Sequence, residues 1–449
     1  MTTTELVSLI AADLRIPKAL VRGLLTELVK TAIRETKKNG VFVLPGLGRL
    51  VKTRRKARMG RNFQTGATIH TPVATAVKFR IDKSVQDRMR GIFVEKMLFA
   101  ADIPGGGPPV GVPRQPEAFQ PSGRGIVKIF YATDREPTSQ NPLRFGSRRS
   151  SSAELNLGTC EVSIPRDHRL ANIERPTIWR LYRENQKKHF VIREVTGQTA
   201  DGFFKELSHR VAQSEKKEAF VFIHGFSVDF NDAVYRTAQI AYDLGFEGAP
   251  IMYSWPSNGK LYRYTADINN SDWTVQHLKG FLQDLASRSD AQVIHLIAHS
   301  MGNRALTNAL NLLAVSAQPP SPPHFSQIVL TAPDIDAGVF IQLATAIQMI
   351  AERITLYVSG HDRALHESKR RNGSYPRVGD CSGSVIVVPG MDTVDASAVD
   401  TNLIGHFYYA ENRSVLSDIF NLLKDGSPPE RRFGIRRVDG PPPYWQFSP

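Results

Sequence analysis

Beyond residue 124, short apolar runs of the chain alternate with longer segments in which apolar residues recur with helical spacing. The short runs are typical of buried strands, and the longer segments are typical of helices that bury one face. Strands that alternate with helices predict a mostly parallel, doubly wound sheet with helices on both faces. Strands of an N-terminal meander are predicted where this region begins, at the sequences IVKIFYAT, GTCEVSIP and HFVIREV.

The beginning of the chain follows a different pattern. Two amphipathic helices are predicted there, and the second, which starts near Pro17, carries a broad apolar stripe from Leu20 to Ile33. A domain this small has too little surface of its own to cover such a stripe, so we expect part of it to contact another subunit. Strands follow, and the sequence GRNFQTG is predicted to lie near the tip of a hairpin.

The positive charge of the protein is concentrated in this first segment. The formal net charge is +14, and residues 1–97 contain 20 of the 57 Lys and Arg residues but only 7 of the 43 Asp and Glu residues. Several of these cations flank the predicted hairpin tip, where a strand pair with so little apolar surface cannot form a core. Such an arm is suited to lie along nucleic acid, where it neutralises phosphates and releases counterions.

The composition divides the protein into four parts. Residues 1–97 form the basic first domain, and residues 98–124, in which Gly and Pro dominate, are predicted to be a linker. Residues 125–425 form the larger domain. The tail, residues 426–449, is rich in Pro and Arg and is expected to be a solvated, poorly ordered end.

Cysteine usage and hydropathy limit the class of protein. The two cysteines, Cys160 and Cys381, indicate neither a disulfide framework nor a metal site, although their pairing is left open. No apolar run approaches the roughly 18 residues of a membrane-spanning helix. The N-terminus has acidic residues within its apolar stretch and does not resemble a secretory signal. We therefore expect a cytoplasmic protein that contacts no membrane.

Candidate chemistry centres on the sequence VIHLIAHSMGNRALTNALNLL, in which Ser300 separates an apolar run from a helical pattern. The pentapeptide AHSMG matches the nucleophile elbow G-x-S-x-G except for alanine at its first position. This tight turn requires small residues two before and two after the serine, and Ala298 and Gly302 both meet that requirement. The apolar strand before the turn and the helix after it predict that Ser300 is a nucleophile. It would lie at the carboxyl ends of the strands, where parallel sheets of this kind have their active sites.

A nucleophilic serine needs a histidine that takes its proton and an acid that orients the histidine. In this fold the acid and then the histidine follow the serine along the chain. Asp362, in SGHDRAL, ends a predicted strand, and His406 follows it in the Gly-His loop of GHFYY. Asp334 and Asp336, in TAPDIDAG, also follow a strand, and Asp334 therefore remains the alternative acid.

An oxyanion hole is predicted from two backbone amides. The loop after FIHGF turns the Phe226 amide toward the reacting carbonyl, and Met301 supplies a second amide where the dipole of the following helix favours an anion. His224 and His299 are expected to be structural and to hold the loops around the site. Trp255, in SWPS, either lines the pocket or fills the core.

Residues 2–90 resemble the HU/IHF nucleoid proteins, on the sequences TELVSLIA, PGLGRLVKTRRKARMGRNFQTG, HTPVATAVKF and DKSVQDRM. The resemblance implies an α+β domain that forms a homodimer and inserts two β-arms into the minor groove of double-stranded DNA, bending it with little sequence preference. In that family an apolar residue at each arm tip wedges between base pairs. It is usually the proline after Arg-Asn, and this chain has Phe63 at that position. The residues expected to contact DNA are Arg54, Arg55, Lys56, Arg58, Arg61, Asn62, Phe63, Lys78 and Arg80.

Residues 125–425 resemble the α/β-hydrolases, and among them a bacterial group that shares FYATDR, FIHGF, YDLGF, SWPS, AHSMGNR, APDIDA, SGHDRAL and GHFYY. The resemblance implies serine hydrolase chemistry with Ser300, Asp362 and His406 as the triad. We expect no cofactor and no metal. It names no substrate, because one fold serves many substrates.

Two hypotheses follow from the sequence. In the first, the protein is a nucleoid-associated, carboxylesterase-like serine hydrolase that acts on a small-molecule ester while its first domain holds it on DNA. In the second, it is an architectural DNA-binding protein whose hydrolase domain is a non-catalytic scaffold or a small-molecule sensor. Turnover of an ester substrate distinguishes them, because a sensor would show none.

Overall fold

The computed structural model divides the protein into two compact units, Met1–Pro113 and Arg114–Pro449. The structure describes residues 7, 11, 18–44, 48–55, 58–61, 68–71, 74–81, 125–152, 154–174, 186–258, 264–316, 323–399 and 412–448.

In the first unit, a long helix precedes an antiparallel sheet. The helix ends at Asn39 and is followed by Gly40. The φ of Gly40 is 76°, a left-handed conformation that glycine adopts most readily, and its amide donates to the carbonyl of Thr36. Strands β1, β2 and β5 pair antiparallel in that order. The elements are α1 (Lys18–Asn39), β1 (Val41–Leu44), β2 (Gly48–Arg55), β3 (Arg58–Arg61), β4 (Thr68–Thr71) and β5 (Ala74–Ile81).

The predicted hairpin is confirmed as a two-stranded ribbon. Strands β3 and β4 pair antiparallel, with Arg58 opposite Thr71 and Arg61 opposite Thr68. Strand β2 ends at Arg55 before the ribbon, and β5 begins at Ala74 after it. These two residues are opposite each other in the antiparallel pair. The expected tip, with Asn62 and Phe63, lies outside the described residues.

The second unit is built on one large sheet. In the part of the chain that the structure describes, eleven strands form it in the order β10-β9-β6-β12-β11-β13-β14-β15-β16-β18-β17, and its central strands are parallel. Strands β7 and β8 form a separate hairpin. The bounds are β6 (Gly125–Thr133), β7 (Arg135–Gln140), β8 (Leu143–Arg149), β9 (Asn156–Ile164), β10 (Val191–Gln198), β11 (Glu218–Ile223), β12 (Ala249–Ser254), β13 (Val293–His299), β14 (Phe325–Thr331), β15 (Ala351–Val358), β16 (Asp392–Asp395), β17 (Ile435–Val438) and β18 (Tyr444–Phe447).

Helices cover both faces of the sheet, as the alternating pattern predicts. The apolar sides of α2, α5, α6 and α7 pack with one face of the central strands, and those of α3 and α9 pack on the other. The helices of this unit are α2 (Ala200–Ala212), α3 (Phe230–Asp243), α4 (Tyr264–Trp273), α5 (Val275–Arg288), α6 (Gly302–Val315), α7 (Ala337–Gln348), α8 (Arg363–Arg371) and α9 (Arg413–Asp425). Cys160 and Cys381 are both free thiols.

The expectation of a poorly ordered tail after residue 425 is wrong. Strand β18 pairs parallel with β16, and β17 folds back antiparallel on β18, so the tail extends the sheet. Phe447 is buried, and the buried guanidinium of Arg432 lies 3.4 Å from the carboxylate of Asp418 on α9. The physical reason is that this tail contributes apolar and ionic contacts to the core, which outweigh its Pro-rich composition.

None of the helices in the described ranges is both long enough and apolar enough to cross a membrane.

Candidate functional site

Ser300 stands at the turn between β13 and α6, near the middle of the sheet. Its φ is +51°, a left-handed conformation that is uncommon for residues other than glycine. The strand before it is buried and pairs with β11 on one side and β14 on the other. A serine held in this strained conformation between a buried strand and a helix has the geometry of a nucleophile elbow.

Close backbone approach explains the glycines around the turn. A Cβ atom added to Gly302 would lie 2.4 Å from the carbonyl oxygen of His224, and one added to Gly225 would lie 2.8 Å from Cβ of Ser300. Both distances are too short for any side chain. The loop that follows β11 therefore packs directly against Ser300, as the small residues of the motif predict.

Backbone hydrogen bonds hold the turn in place. The amide of Ser300 donates to the carbonyl of Thr331 at 3.0 Å, and the carbonyl of Ser300 accepts from the amide of Asp334 at 3.2 Å. The side-chain amide of Asn303 also donates to the carbonyls of Ser300 and Thr331, at 2.9 and 3.0 Å. The end of β14 thus stabilises the unusual φ of the serine.

The two predicted oxyanion donors lie on the elements that meet at Ser300. Phe226 follows β11 in the loop that packs on the serine, and its ring makes an edge contact with Tyr264 at a centroid distance of 5.3 Å. Met301 is buried and stands immediately before α6. Its amide is therefore at the N-terminus of a helix, where the positive end of the helix dipole favours an anion.

Asp334 follows β14 and has several partners. Its carboxylate accepts from the hydroxyl groups of Tyr264 at 2.9 Å and Ser368 at 2.5 Å, one on each oxygen. Nε of Arg377 lies 3.6 Å away. Burial and the negative charge of Asp334 raise the pKa of Tyr264 to about 12, so the tyrosine remains a hydrogen-bond donor at neutral pH. This carboxylate therefore links α4, α8 and the segment of Arg377.

Asp362 follows β15 and is fully buried. One carboxylate oxygen accepts from the amide of Leu365 at 3.0 Å, so the residue is the N-cap of α8. Because β13, β14 and β15 are parallel neighbours, Asp362 lies at the same edge of the sheet as Ser300. His406, the predicted base, lies outside the described residues.

Six of the nine predicted DNA-binding residues lie on strands of the first unit. Lys78 is exposed on β5. Lys56, Asn62 and Phe63 lie outside the described residues. The remaining predicted contacts belong to strands of the sheet and ribbon: Arg54 and Arg55 on β2, Arg58 and Arg61 on β3, and Arg80 on β5.

Sequence reasoning did not assign a role to Arg135, which is fully buried beside the loop that packs on Ser300. Its guanidinium bonds to His224, the histidine expected to be structural, and the ring of His224 stacks on Trp255 with centroids 5.1 Å apart. Trp255 is fully buried and thus fills the core. The sequence does contain a feature that could have indicated a role for Arg135, because it directly follows an apolar strand and Asp134 in FYATDR. A charge at such a position must be either solvated or paired.

Comparison with known proteins identifies both units. Residues 199–424, which are half of the chain, match the family described as alpha/beta hydrolase of unknown function (DUF900). Residues 1–90 match the family described as bacterial DNA-binding protein. The second match confirms the resemblance to HU, and the first confirms the resemblance to the α/β-hydrolases.

Individual relatives match the first unit. The HU-beta protein of Pseudomonas aeruginosa is 34% identical over 87 residues, which are 19% of this chain and 97% of that protein. The HU protein of Buchnera aphidicola is 33% identical over 93 residues, 20% of this chain and all of that protein.

Solved structures were also matched. A crystal structure of an inhibited esterase B from Lactobacillus rhamnosis aligns with 64% of this chain and 80% of its own, at 11% identity and a TM-score of 0.29. An Anabaena HU–DNA cocrystal structure aligns with 20% of this chain and 97% of its own, at 27% identity and a TM-score of 0.19. By its family match, the chain belongs to the alpha/beta hydrolases of unknown function (DUF900), and its first 90 residues are an HU-like DNA-binding domain.

Proposed function

We propose that this protein is a serine hydrolase of the esterase type, with Ser300 as its nucleophile and with an HU-like domain that holds it on DNA. The observation that carries the proposal is the conformation of Ser300. It is a non-glycine residue at φ +51° between a buried parallel strand and a helix, packed against the loop of Gly225. A strained serine in this context supports a functional role more than a structural one, since glycine would occupy the turn at lower cost.

The proposed reaction is acyl transfer to Ser300 followed by hydrolysis. His406 accepts the hydroxyl proton as the Ser300 oxygen attacks the ester carbonyl, and it then gives the proton to the leaving alcohol. Water attacks the acyl-enzyme in the same manner and releases the acid. Asp362 orients the imidazole and stabilises its cation. The substrate proposed is a small-molecule ester.

We assign the acid to Asp362 because of how the two candidate carboxylates are engaged. Both oxygens of Asp334 accept from hydroxyl groups, and Arg377 lies beside them. That arrangement suits a structural junction. The carboxylate of Asp362 is fully buried and is oriented by the Leu365 amide at the N-terminus of α8. A buried and oriented carboxylate is what the imidazolium requires.

The amides of Phe226 and Met301 are the proposed oxyanion donors. The first lies in the loop that packs on Ser300, and the second belongs to the residue that precedes α6. Donors fixed in a water-poor site stabilise the developing negative charge without reorganising during the reaction.

The first unit is proposed to bind double-stranded DNA through its basic arm and to form a homodimer. Apolar side chains on α1 and on the sheet that follows it are exposed in the single chain. Their exposure supports a dimer interface in which a second copy of the chain buries them. They are Leu20, Leu28, Val29, Ile33, Val41, Val43, Val77 and Phe79.

Labelling with a fluorophosphonate probe tests the hydrolase proposal. Wild-type protein is expected to take one probe, and Ser300→Ala and His406→Ala are expected to take none, because the probe reacts only with an activated serine. Ser316→Ala, which removes an exposed serine at the end of α6, is the matched control and should label normally. Folded wild-type protein that takes no probe would contradict the proposal and favour the sensor or scaffold.

A separate measurement tests the DNA proposal. Affinity for a duplex is expected to fall steeply as salt rises, since each neutralised phosphate releases counterions. An affinity that does not change with salt would contradict the role of the arm, whatever the probe result.

A further inference from the structure

Arg135 is a buried side chain near the proposed site, and all of its N–H groups are hydrogen-bonded. The guanidinium has five N–H donors, and each meets an acceptor. Nε donates to the hydroxyl of Ser254, and Nη1 donates to two backbone carbonyls, those of Gly146 and Ser257, at 2.9 to 3.1 Å. Nη2 donates to the carbonyl of Val228 at 2.9 Å and to Nε2 of His224 at 3.2 Å.

These bonds determine which nitrogen of His224 carries the proton. A guanidinium can only donate, so Nε2 of His224 must accept and carries no hydrogen. The hydroxyl of Ser254 reaches the same nitrogen at 3.1 Å. The hydrogen is therefore on Nδ1, which lies 2.9 Å from the carbonyl oxygen of Gly225 and donates to it. Burial and then the charge of Arg135 lower the pKa of His224 to about 3, so the ring is neutral at working pH.

The bond to the Gly225 carbonyl fixes the next amide. The peptide between Gly225 and Phe226 is planar, and in a trans peptide the C=O and the N–H point in opposite directions. A carbonyl held toward the imidazole of His224 therefore directs the amide of Phe226 away from it. The indole of Trp255 further restrains the loop by donating to the carbonyl of His224 at 2.7 Å.

Gly225 itself packs against Ser300. A Cβ on Gly225 would lie 2.8 Å from Cβ of Ser300 and 3.0 Å from the carbonyl oxygen of His299. Arg135 holds the other end of the loop through the carbonyl of Val228, while the amide of Val228 donates to Ser257 at 3.2 Å. The loop is thus fixed at both ends by the same guanidinium.

We propose that Arg135 is a positioning residue: it keeps His224 in the Nδ1–H tautomer, and His224 in turn holds the Gly225 carbonyl so that the Phe226 amide faces the oxyanion. This inference rests on the proposed function. Arg135 lies about 90 positions before the loop that it orients. Burial lowers the pKa of Arg135 to about 10, against the opposing effect of Asp229 and Asp134, so the cation persists at neutral pH.

The test uses two amide substitutions of His224 that differ in where they place their N–H. In His224→Asn the side-chain amide lies near the position of Nδ1 and can still donate to Gly225. In His224→Gln the amide lies near the position of Nε2, and the bond to Gly225 is lost. Both variants, Arg135→Lys and Arg135→Met are compared with full-length wild-type protein in fluorophosphonate labelling rate, 4-nitrophenyl acetate kinetics and thermal unfolding.

The expected result is a loss in kcat with little change in KM for His224→Gln and Arg135→Met. Removal of one oxyanion donor costs about 10²- to 10³-fold. His224→Asn should stay within about tenfold of wild type, because a neutral hydrogen bond is retained. In ¹⁵N-histidine spectra, wild-type His224 should show the Nδ1–H tautomer, and Arg135→Met should lose that preference.

Three outcomes decide the inference. Labelling of His224→Gln at the wild-type rate would overturn it. So would losses of labelling rate that are equal in the Asn and Gln variants and are explained by their lower melting temperatures. A wild-type spectrum with the proton on Nε2 would also overturn it, even if Arg135→Met fails to fold. Wild-type protein that takes no probe would instead overturn the proposed hydrolase function itself, so the two failures are distinguishable.

Discussion

Gly225 and Ser300 are in contact with no space for a side chain between them: a Cβ on Gly225 would lie 2.8 Å from Cβ of Ser300. Gly225→Ala must therefore displace the loop or the elbow. We expect labelling of Ser300 to slow by at least about tenfold, because a displacement near 1 Å costs a catalytic site roughly that much or more. Labelling rates for the two proteins are the measurement.

Gly280→Ala is the matched control for this substitution. Gly280 lies within α5 and a Cβ there meets nothing within 4 Å. Alanine is favoured over glycine in helices by about 1 kcal/mol, so this variant should label normally and unfold at the same or a higher temperature. Normal labelling of Gly225→Ala would show that the loop does not determine reactivity.

The two candidate acids should respond differently to an isosteric change. Asp362→Asn is expected to reduce the labelling rate by roughly 10⁴-fold with little change in folding, because an amide favours the wrong tautomer of the base. Asp334→Asn should keep most of the rate but lose about 1–3 kcal/mol of unfolding free energy, since it disturbs the bonds with Tyr264 and Ser368. The reverse pattern would make Asp334 the acid.

The pH dependence of stability should carry the signature of His168. Its ring nitrogens bond to Glu174 at 2.9 Å and to Asp243 at 2.7 Å. Burial alone would lower the pKa of His168, but these carboxylates outweigh it and raise the pKa to about 9. A raised pKa means that the folded state holds the proton more tightly than the unfolded state. The stabilisation is therefore complete below about pH 6.5 and is lost as pH rises through about 9.

Urea unfolding of wild type and His168→Gln between pH 6 and pH 10 measures this loss. The free energy of unfolding of wild type should fall across that range, while the variant should be less stable and should change less. His209→Gln, at an exposed histidine on α2, is the control and should follow wild type. Parallel curves for wild type and His168→Gln would rule out the ionised histidine.

The exposed apolar stripe of α1 should control association. Val29→Asp combined with Ile33→Asp puts two charges where the side chains are 57% and 50% exposed in the single chain. A charge buried in an apolar interface is strongly unfavourable, so the variant should sediment as a monomer at concentrations where wild type is a dimer. Val315→Asp, at a valine of the second unit that is 61% exposed, should leave the dimer intact. A dimer that survives both charges on α1 would place the interface elsewhere.

Phe63 should affect the shape of bound DNA more than its affinity. An apolar wedge unstacks a base step and bends the duplex, whereas phosphate contacts supply most of the affinity. Phe63→Ala is expected to reduce the bend seen by energy transfer between labelled duplex ends, with a change in Kd of less than about tenfold. The control is Phe433→Ala, at a phenylalanine that is 89% exposed in the second unit. An unchanged bend would remove the wedge role.

The sequence alone determined the features that depend on local spacing. Apolar periodicity predicts the strands and helices around Ser300, and the small residues Ala298 and Gly302 predict the tight turn. The charge of the first 97 residues and the sequence around GRNFQTG predicted the basic hairpin. These features are local because a strand, a turn or a helix is set mainly by residues within a few positions of one another.

Tertiary structure decided what depends on distant segments meeting. The composition of the tail after residue 425 predicts a poorly ordered end. In the structure, however, β18 of the tail pairs with β16, and Arg432 forms an ion pair with Asp418. Asp334 and Asp362 each follow a strand in the sequence, and only the fold shows that the first accepts from two hydroxyl groups and the second from the amide of Leu365. In the sequence, Arg135 is only a charged residue after a strand. The fold supplies five hydrogen-bond acceptors for its guanidinium, one of which is Nε2 of His224. No local pattern encodes such pairings, because the cost of burying a charge is met by whichever segments the fold brings together.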